Sequence, residues 1–290
     1  MSLVPNSEAD TFLTCERRHY YAFGEKLQPK SYGAGLSRGI AGHSALEVFY
    51  ASQKAGDAVS VSKNKMLAFM QAEILANIQK GNSDNTAVLT ALQKLLIAYI
   101  DDGEFYTQQQ YEILSVEETF LYEEFPFKPD MIVRDRKTRE VTLVDHKFLY
   151  NFYNGSLASM FPQLPKYAGA LRELGYKVHK AEFNMLRHRN NAQVKFRRLS
   201  IDLPDRRIKQ YQHEHAIASS RIDTYKSLSL SDWQDSLLRT ANSFTCTHCP
   251  FSTLCQTDLD GLPGRNLLVK SFFEPNTYGY SYLEDDLSVE

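Results

Sequence analysis

The stretch FKPDMIVRDRKTREVTLVDHKF, residues 127–148, constrains this chain most. Two runs rich in β-branched residues, DMIVRD and EVTLVDHKF, flank the polar turn RDRKTRE, a pattern that predicts a β-hairpin. Side chains alternate faces along a strand, so Asp145 and Lys147 point the same way and His146 points opposite. The turn lays the first strand alongside the second, which places Asp130 near Asp145. Two carboxylates held close repel each other unless a cation sits between them. Hard divalent ions, Mg²⁺ or Mn²⁺, suit such oxygen ligands. A lysine at the same spot stabilises negative charge on a phosphate or orients a water. Carboxylates, hard metal and lysine together suit hydrolysis of a phosphodiester. Taken alone, Asp-x-Lys at a strand end is also a common solvated surface pair, so the reading turns on the rest of the chain.

The 290 residues, 43% of them hydrophobic, are enough for a sizeable core. A net charge of −2 leaves no overall basic footprint, so any nucleic-acid contact has to come from local patches. The longest apolar run, LLIAYI at 95–100, is far too short to span a membrane. The start, MSLVPNSEAD, has neither a basic n-region nor an apolar h-region, so an intracellular location is the default expectation. In that compartment clustered cysteines point to metal or to chemistry rather than to disulfides.

Residues 7–23 read as a short helix capped by Ser7 or Asp10, and 37–54 as a helix with Ile40, Leu46, Phe49 and Tyr50 near one stripe. Two amphipathic helices follow at 62–79 and 86–100, separated by a loop at 81–85. Strand signals then take over: YEILSVEETFLY, the hairpin, and a second pair, HKAEFNMLRH and AQVKFRRLSI, split by Asn190-Asn191. A helix is expected over 163–174 with Gly175 as its stop, and others over 205–226 and 231–241. The tail from 257 reads as loop. Strands flanked by helices on both sides argue for an α/β domain with a mixed sheet.

Three further sets bear on chemistry. His43 lies four residues after Gly39 on one helix face, where a glycine lets the helix approach another backbone closely. A lone helical histidine is usually a packed or surface residue; here a two-carboxylate site wants one more ligand. In FPQLPKYAGAL, Gln163 and Tyr167 share a face at a helix start, suited to a phosphate or a base edge, or simply to packing. Finally, Cys246, Cys249 and Cys255 cluster as CTHCPFSTLC, with Cys15 far away. One Cys-x₂-Cys plus two further thiols lacks the paired knuckles of most zinc sites; four thiolates suit a [4Fe–4S] cluster or, less well, zinc.

In order, these motifs resemble the PD-(D/E)xK nuclease superfamily in its RecB-like branch with an iron–sulfur cluster. That branch includes CRISPR-adaptation nucleases, the AddB nuclease domain and phage exonucleases. The order runs Cys, Gly-x₃-His, Pro-Asp, Asp-x-Lys, Gln-x₃-Tyr, then Cys-x₂-Cys-x₅-Cys, from Cys15 to Cys255. The resemblance implies that His43, Asp130 and Asp145 ligate Mg²⁺ or Mn²⁺, with the main-chain carbonyl of His146 as a further ligand. It implies that Lys147 is the catalytic lysine and that Gln163 and Tyr167 complete the site near DNA. Cys15, Cys246, Cys249 and Cys255 would hold the [4Fe–4S] cluster. The implied architecture is a restriction-endonuclease-like core over about 103–230 with a helical cap at about 40–102. Cluster-binding segments at 10–25 and 240–258 would act as a clasp within a single nuclease domain, 1–258, followed by a tail, 259–290. Two departures stand out: FKPD lacks the glycine often found before the first metal aspartate, and Asp145 stands where many members have glutamate. Glu117 and Glu118 read as a solvated strand edge.

The implied activity is metal-dependent hydrolysis of DNA, as an exonuclease preferring single-stranded ends, in recombination, repair or CRISPR adaptation. The expected location is cytoplasmic, or host-cytoplasmic if phage-encoded. Any unwinding needs a helicase or recombination partner. The competing readings are a non-catalytic DNA-binding or docking module of the same fold, and a zinc-clasped protein of unrelated fold. Around the site, RHRNNAQVKFRR carries Arg187, Arg189, Lys195, Arg197 and Arg198, and CERRHYY carries Arg17 and Arg18. Basic and aromatic residues interleaved in this way suit tracking of phosphates, with salt-sensitive binding, or else a solvated hairpin.

Overall fold

The computed structural model describes residues 3–31, 33–189 and 193–276. The chain divides into two compact units, one of residues 32–118 and 128–211, the other of residues 1–31, 119–127 and 212–290.

The first unit is built on a five-stranded sheet in the order β1-β2-β3-β4-β5. The strands are β1 (Tyr111–Val116), β2 (Met131–Asp135), β3 (Val141–Leu149), β4 (Val178–Arg187) and β5 (Phe196–Ile201). The expected hairpin forms: β2 and β3 are antiparallel with Met131 opposite Val144, so Asp130 stands beside the position of Asp145. β3 and β4 run parallel with Asp145 opposite Phe183. Parallel neighbours need a crossover, supplied by a helix, α4 (Gln163–Glu173), which stops where Gly175 takes up φ +90, as expected of a helix terminator. The first six residues of β3 are buried on both faces, as suits a central strand of a mixed sheet.

Three helices precede the sheet: α1 (Ala34–Lys54), α2 (Val59–Gln79) and α3 (Ser83–Asp101). The Asn82 side chain accepts the Asn85 N–H and caps α3. Leu46, Phe49 and Tyr50 of α1 meet Met66, Met70, Leu92 and Tyr99, and this cluster continues onto the sheet through Met131, Val133, Val144 and Leu186. Ile40, expected on the same stripe, is 38% exposed.

The close approach of α1 to the sheet rests on a different glycine from the one expected. A Cβ at Gly39 would meet nothing within 4 Å, whereas one at Gly42 would stand 2.4 Å from the Phe148 ring. Gly42→Ala gains about 1 kcal/mol of helix propensity but overpacks this contact at a cost of about 1–3 kcal/mol. We expect a net loss of stability, read as a lower denaturant midpoint, together with reduced activity because His43 is the next residue.

The second unit contains the chain's early and late segments. The single helix expected at 7–23 is broken. Asn6–Thr14 ends at Cys15, whose backbone is extended, and Glu16–His19 then runs into a wide turn, Tyr20–Gly24. Neither Ser7 nor Asp10 caps it, because the chain enters through Pro5. The second half of YEILSVEETFLY also departs from expectation. The strand stops at Glu117, whose φ is +47, and Phe120–Tyr122 pairs instead with Phe125–Phe127 in a separate ribbon. The helix expected at 231–241 is shorter, Leu230–Ser236, and ends in extended backbone at Leu237. The described part of the tail read as loop, to residue 276 (the rest of the tail lies outside the described residues), folds into the end of a helix, Ser252–Leu259, a second helix, Arg265–Phe272, and a strand, Phe273–Pro275, paired with Leu27–Pro29. Its core joins Tyr20 and Tyr21 to Trp233, Phe251, Leu254 and Phe273; burial against distant aromatics, not local propensity, orders the tail. Asn190-Asn191 lies outside the described residues.

Candidate active site

The hairpin, α1 and the end of β1 converge on Asp130. Its Oδ2 accepts the main-chain N–H of His146 at 2.6 Å and lies 3.2 Å from His43 Nδ1. His43 Nδ1 is also 3.7 Å from Glu117 Oε1, and the other oxygen of Glu117 is 3.0 Å from Lys128 Nζ. One donor atom from each of His43, Glu117 and Asp130 lies within 4.8 Å of the other two, a grouping able to hold a metal ion.

Glu117 was expected at a solvated edge; instead its side chain is 10% exposed. The left-handed backbone at Glu117 turns the chain out of β1, and its N–H donates to the Asp130 carbonyl at 3.0 Å. A non-glycine residue in that region costs of order 1–3 kcal/mol, and such residues gather at functional sites. No local signal marks it, since Glu118, the next residue, is 53% exposed and 3.9 Å from Lys54.

Further along β3, Lys147 Nζ donates to Asp145 Oδ1 at 2.9 Å and stands 2.7 Å from Oδ2. Asp145 and Lys147 therefore share a face as alternation requires. Tyr153, which the sequence did not single out, lies near enough to act on both charges, and its ring packs edge-on against Phe161 and Phe183.

The protonation of these groups follows from burial and neighbours. Burial works to lower the His43 imidazolium, but the carboxylates of Asp130 and Glu117 outweigh it and push His43 up to about 10. Asp130 is held well below the usual carboxylate range: burial opposes ionisation, and His43 overcomes it. Burial, reinforced by Asp130 and only partly offset by Lys147, pushes Asp145 up to about 6. Burial would lower Lys147, but Asp145 and Asp130 outweigh it, so the ammonium stays charged beyond its ordinary range.

His146 takes the opposite face, as expected. Its Nδ1 faces Asn184 Nδ2 at 2.9 Å, and the same amide donates to Tyr99 Oη at 2.9 Å. Tyr99 Oη meets Tyr50 Oη at 2.8 Å, and the Tyr50 ring stacks on His146 at 5.5 Å and 3°. Burial lowers His146 to about 3, so the ring is neutral and packs the strand while its backbone faces Asp130.

Gln163 and Tyr167 stand at the start of α4, Gln163 half-buried and Tyr167 buried. Two basic residues expected at DNA turn inward. Arg17 is 4% exposed, donates to Tyr21 Oη and the Gln234 carbonyl, and lies 3.5 Å from Asp258. Arg198 lies 3.9 Å over the Tyr106 ring and donates to the Glu104 carbonyl. Each satisfies a buried carbonyl or ring, a demand not visible in a basic run. Arg187 ends β4, Arg197 lies on β5, Lys195 immediately precedes β5, and Arg18 is half-buried near Cys249.

The cysteines all belong to the second unit and are free thiols, with Cys246 exposed and the others half-buried. Cys249 and Cys255 border the aromatic core, and burial raises Cys249, with Cys15 and Cys255 close enough to add to the shift.

No curated protein matches the sequence. A family model does match it over residues 6–256, which takes in the early helix, the whole sheet and the cysteine run. The five-stranded mixed sheet flanked by helices, with acidic groups gathered where β2 meets β3, fits that assignment, and the chain belongs to the PD-(D/E)XK nuclease superfamily.

Proposed function

We propose that this chain is a divalent-metal-dependent DNA nuclease, an exonuclease working on single-stranded ends. The observation that carries the reading is the packing of His43, Glu117 and Asp130 within ligand reach of one another beside the Asp145–Lys147 pair. Two of the three donors are carboxylate oxygens, which suit Mg²⁺ or Mn²⁺. Asp145, held partly protonated by burial beside Asp130, is the further carboxylate that a cation would relieve. His43, Asp130, Asp145 and the His146 carbonyl would hold the ion, with Glu117 added to that set. When bound, the ion supplies an acidic water and neutralises phosphate charge. Lys147 remains an ammonium, so it serves as donor to the phosphate or attacking water, not as base. Asp145 orients that ammonium, and the His146 N–H fixes the Asp130 carboxylate.

End-labelled single- and double-stranded DNA incubated with Mg²⁺ or Mn²⁺ tests this. Progressive loss of label from single strands, abolished by a chelator, is the expected result; no cleavage with either ion leaves the docking-module reading in its place.

We further propose that Cys15, Cys246, Cys249 and Cys255 hold a [4Fe–4S] cluster. Cys15 and Cys255 are both close enough to Cys249 to raise its thiol further. Yet among the described residues the group of His43, Glu117 and Asp130 is the one trio whose donors fall within 4.8 Å. A single zinc at about 2.3 Å from each sulfur needs tighter spacing than the thiols have. Anaerobically purified protein is expected to be brown and to lose colour on Cys249→Ser; a colourless protein with one bound zinc overturns the assignment.

A further inference from the structure

Beyond Lys147 the sheet ends in a surface that the catalytic reading leaves unused. Tyr150 follows β3 immediately and is 57% exposed. It is not loosely held, because the His188 N–H donates to the Leu149 carbonyl at 2.9 Å and locks the strand end to β4. The Arg189 guanidinium stands 5.5 Å from the Tyr150 ring centre, and the His188 ring lies 5.7 Å away. Arg38, five residues before His43 on α1, is 3.0 Å from His188 Nε2. Two residues on, Phe152 lies between Arg187 at 4.6 Å and Arg197 at 4.9 Å.

Four guanidiniums thus meet rings in a chain whose net charge is −2. Among the described residues none of the four is in an ion pair with a carboxylate. Aromatic faces and a histidine occupy the places that carboxylates usually take, which holds the cations in position; one Arg187 N–H also donates to the Val194 carbonyl, and the remaining N–H donors of the four are left for an anion. The anion such a surface fits carries repeated charges and flat apolar groups between them. A nucleic acid strand has both, but a duplex keeps its base faces stacked within itself; only an unpaired strand can offer one to Tyr150.

We infer that Tyr150 is a stacking subsite for an unpaired base of the substrate, with Arg38, Arg187, Arg189 and Arg197 holding the flanking phosphates. This rests on the nuclease reading and adds to it the position at which single-strandedness is sensed. Three residues of extended chain separate Tyr150 from Lys147, about 10 Å, so the stacked base lies next to the phosphate under attack.

The test measures binding without divalent metal, by fluorescence anisotropy, to a single-stranded oligonucleotide and to a blunt duplex of the same length. Tyr150→Ala is expected to weaken single-strand binding about 5- to 150-fold, to leave duplex binding unchanged, and to be rescued by Tyr150→Phe, which keeps the ring. A 2-aminopurine walked along the strand, bound to the wild-type protein, is expected to be quenched at one position near the labelled end. Equal loss for both substrates, no loss for either, failure of Tyr150→Phe to rescue, or uniform fluorescence along the strand overturns the subsite. Cleavage by the wild-type protein in Mg²⁺ is scored separately, so the subsite can fail while the nuclease assignment stands.

Discussion

Replacing Lys147 by alanine is expected to lower single-turnover hydrolysis of single-stranded DNA by about 10²–10³-fold while leaving the protein folded and able to bind metal. The Lys147 side chain is a quarter exposed, and its ammonium lies against Asp145. Removing it takes away the positive donor that meets Asp145. It also withdraws the group that favours ionisation of Asp145, so the carboxyl answers by keeping its proton to higher pH instead of unfolding the sheet. An ion brought to Asp130 and Asp145 no longer meets a neighbouring ammonium, so Mn²⁺ affinity, measured by calorimetry, is expected to be equal or tighter. Loss of activity with retained metal binding is the signature of a catalytic lysine. Activity equal to the parent would remove the enzymatic reading and leave a DNA-binding module.

The second large effect belongs to Asp130→Asn. This carboxylate meets both His43 and the His146 N–H, so it joins α1 to β3 as well as offering an oxygen to an ion. Loss of a ligand costs at least as much as loss of a supporting hydrogen bond, so metal affinity is expected to fall by about 10²-fold or more, and activity with it. A pH signature accompanies this in the chelated protein. His43 is pushed up to about 10, so the imidazole's contribution to stability is complete below its ordinary value of 6.5, provided that Asp130 stays ionised, and is lost as pH rises through 10. Chemical denaturation of the chelated parent should show that decline, and Asp130→Asn should flatten it. Unchanged Mn²⁺ binding in the variant would exclude Asp130 from the metal site.

Much of the first unit was legible in the chain. The hairpin followed from two β-branched runs about a polar turn, and its alternation assigned faces to Asp145, His146 and Lys147, as the register confirms. The helix ended by Gly175 and the helix Asp205–Lys226 were equally plain, because caps, stops and periodicity are local. Legibility failed wherever the cause was distant. Glu117 turns into the site through one left-handed residue, and Gly42, not Gly39, is the position that Phe148 requires to be small. Arg17 and Arg198 sit in basic runs yet serve buried partners. Residues 257–276, rich in turn formers, are ordered by aromatics near residue 20.

The sequence by itself determined the mixed α/β class, the order of the motifs and which side chains share a strand face, since these depend on periodicities of two and 3.6 residues. Only the tertiary structure decided that Glu117 joins His43 and Asp130, that α1 lies close against β3 at Gly42, and that Tyr150 stands among guanidiniums that meet rings instead of carboxylates. Those meetings join residues far apart in the chain, and they are set by which surfaces exclude water together, a property that no short window of sequence contains.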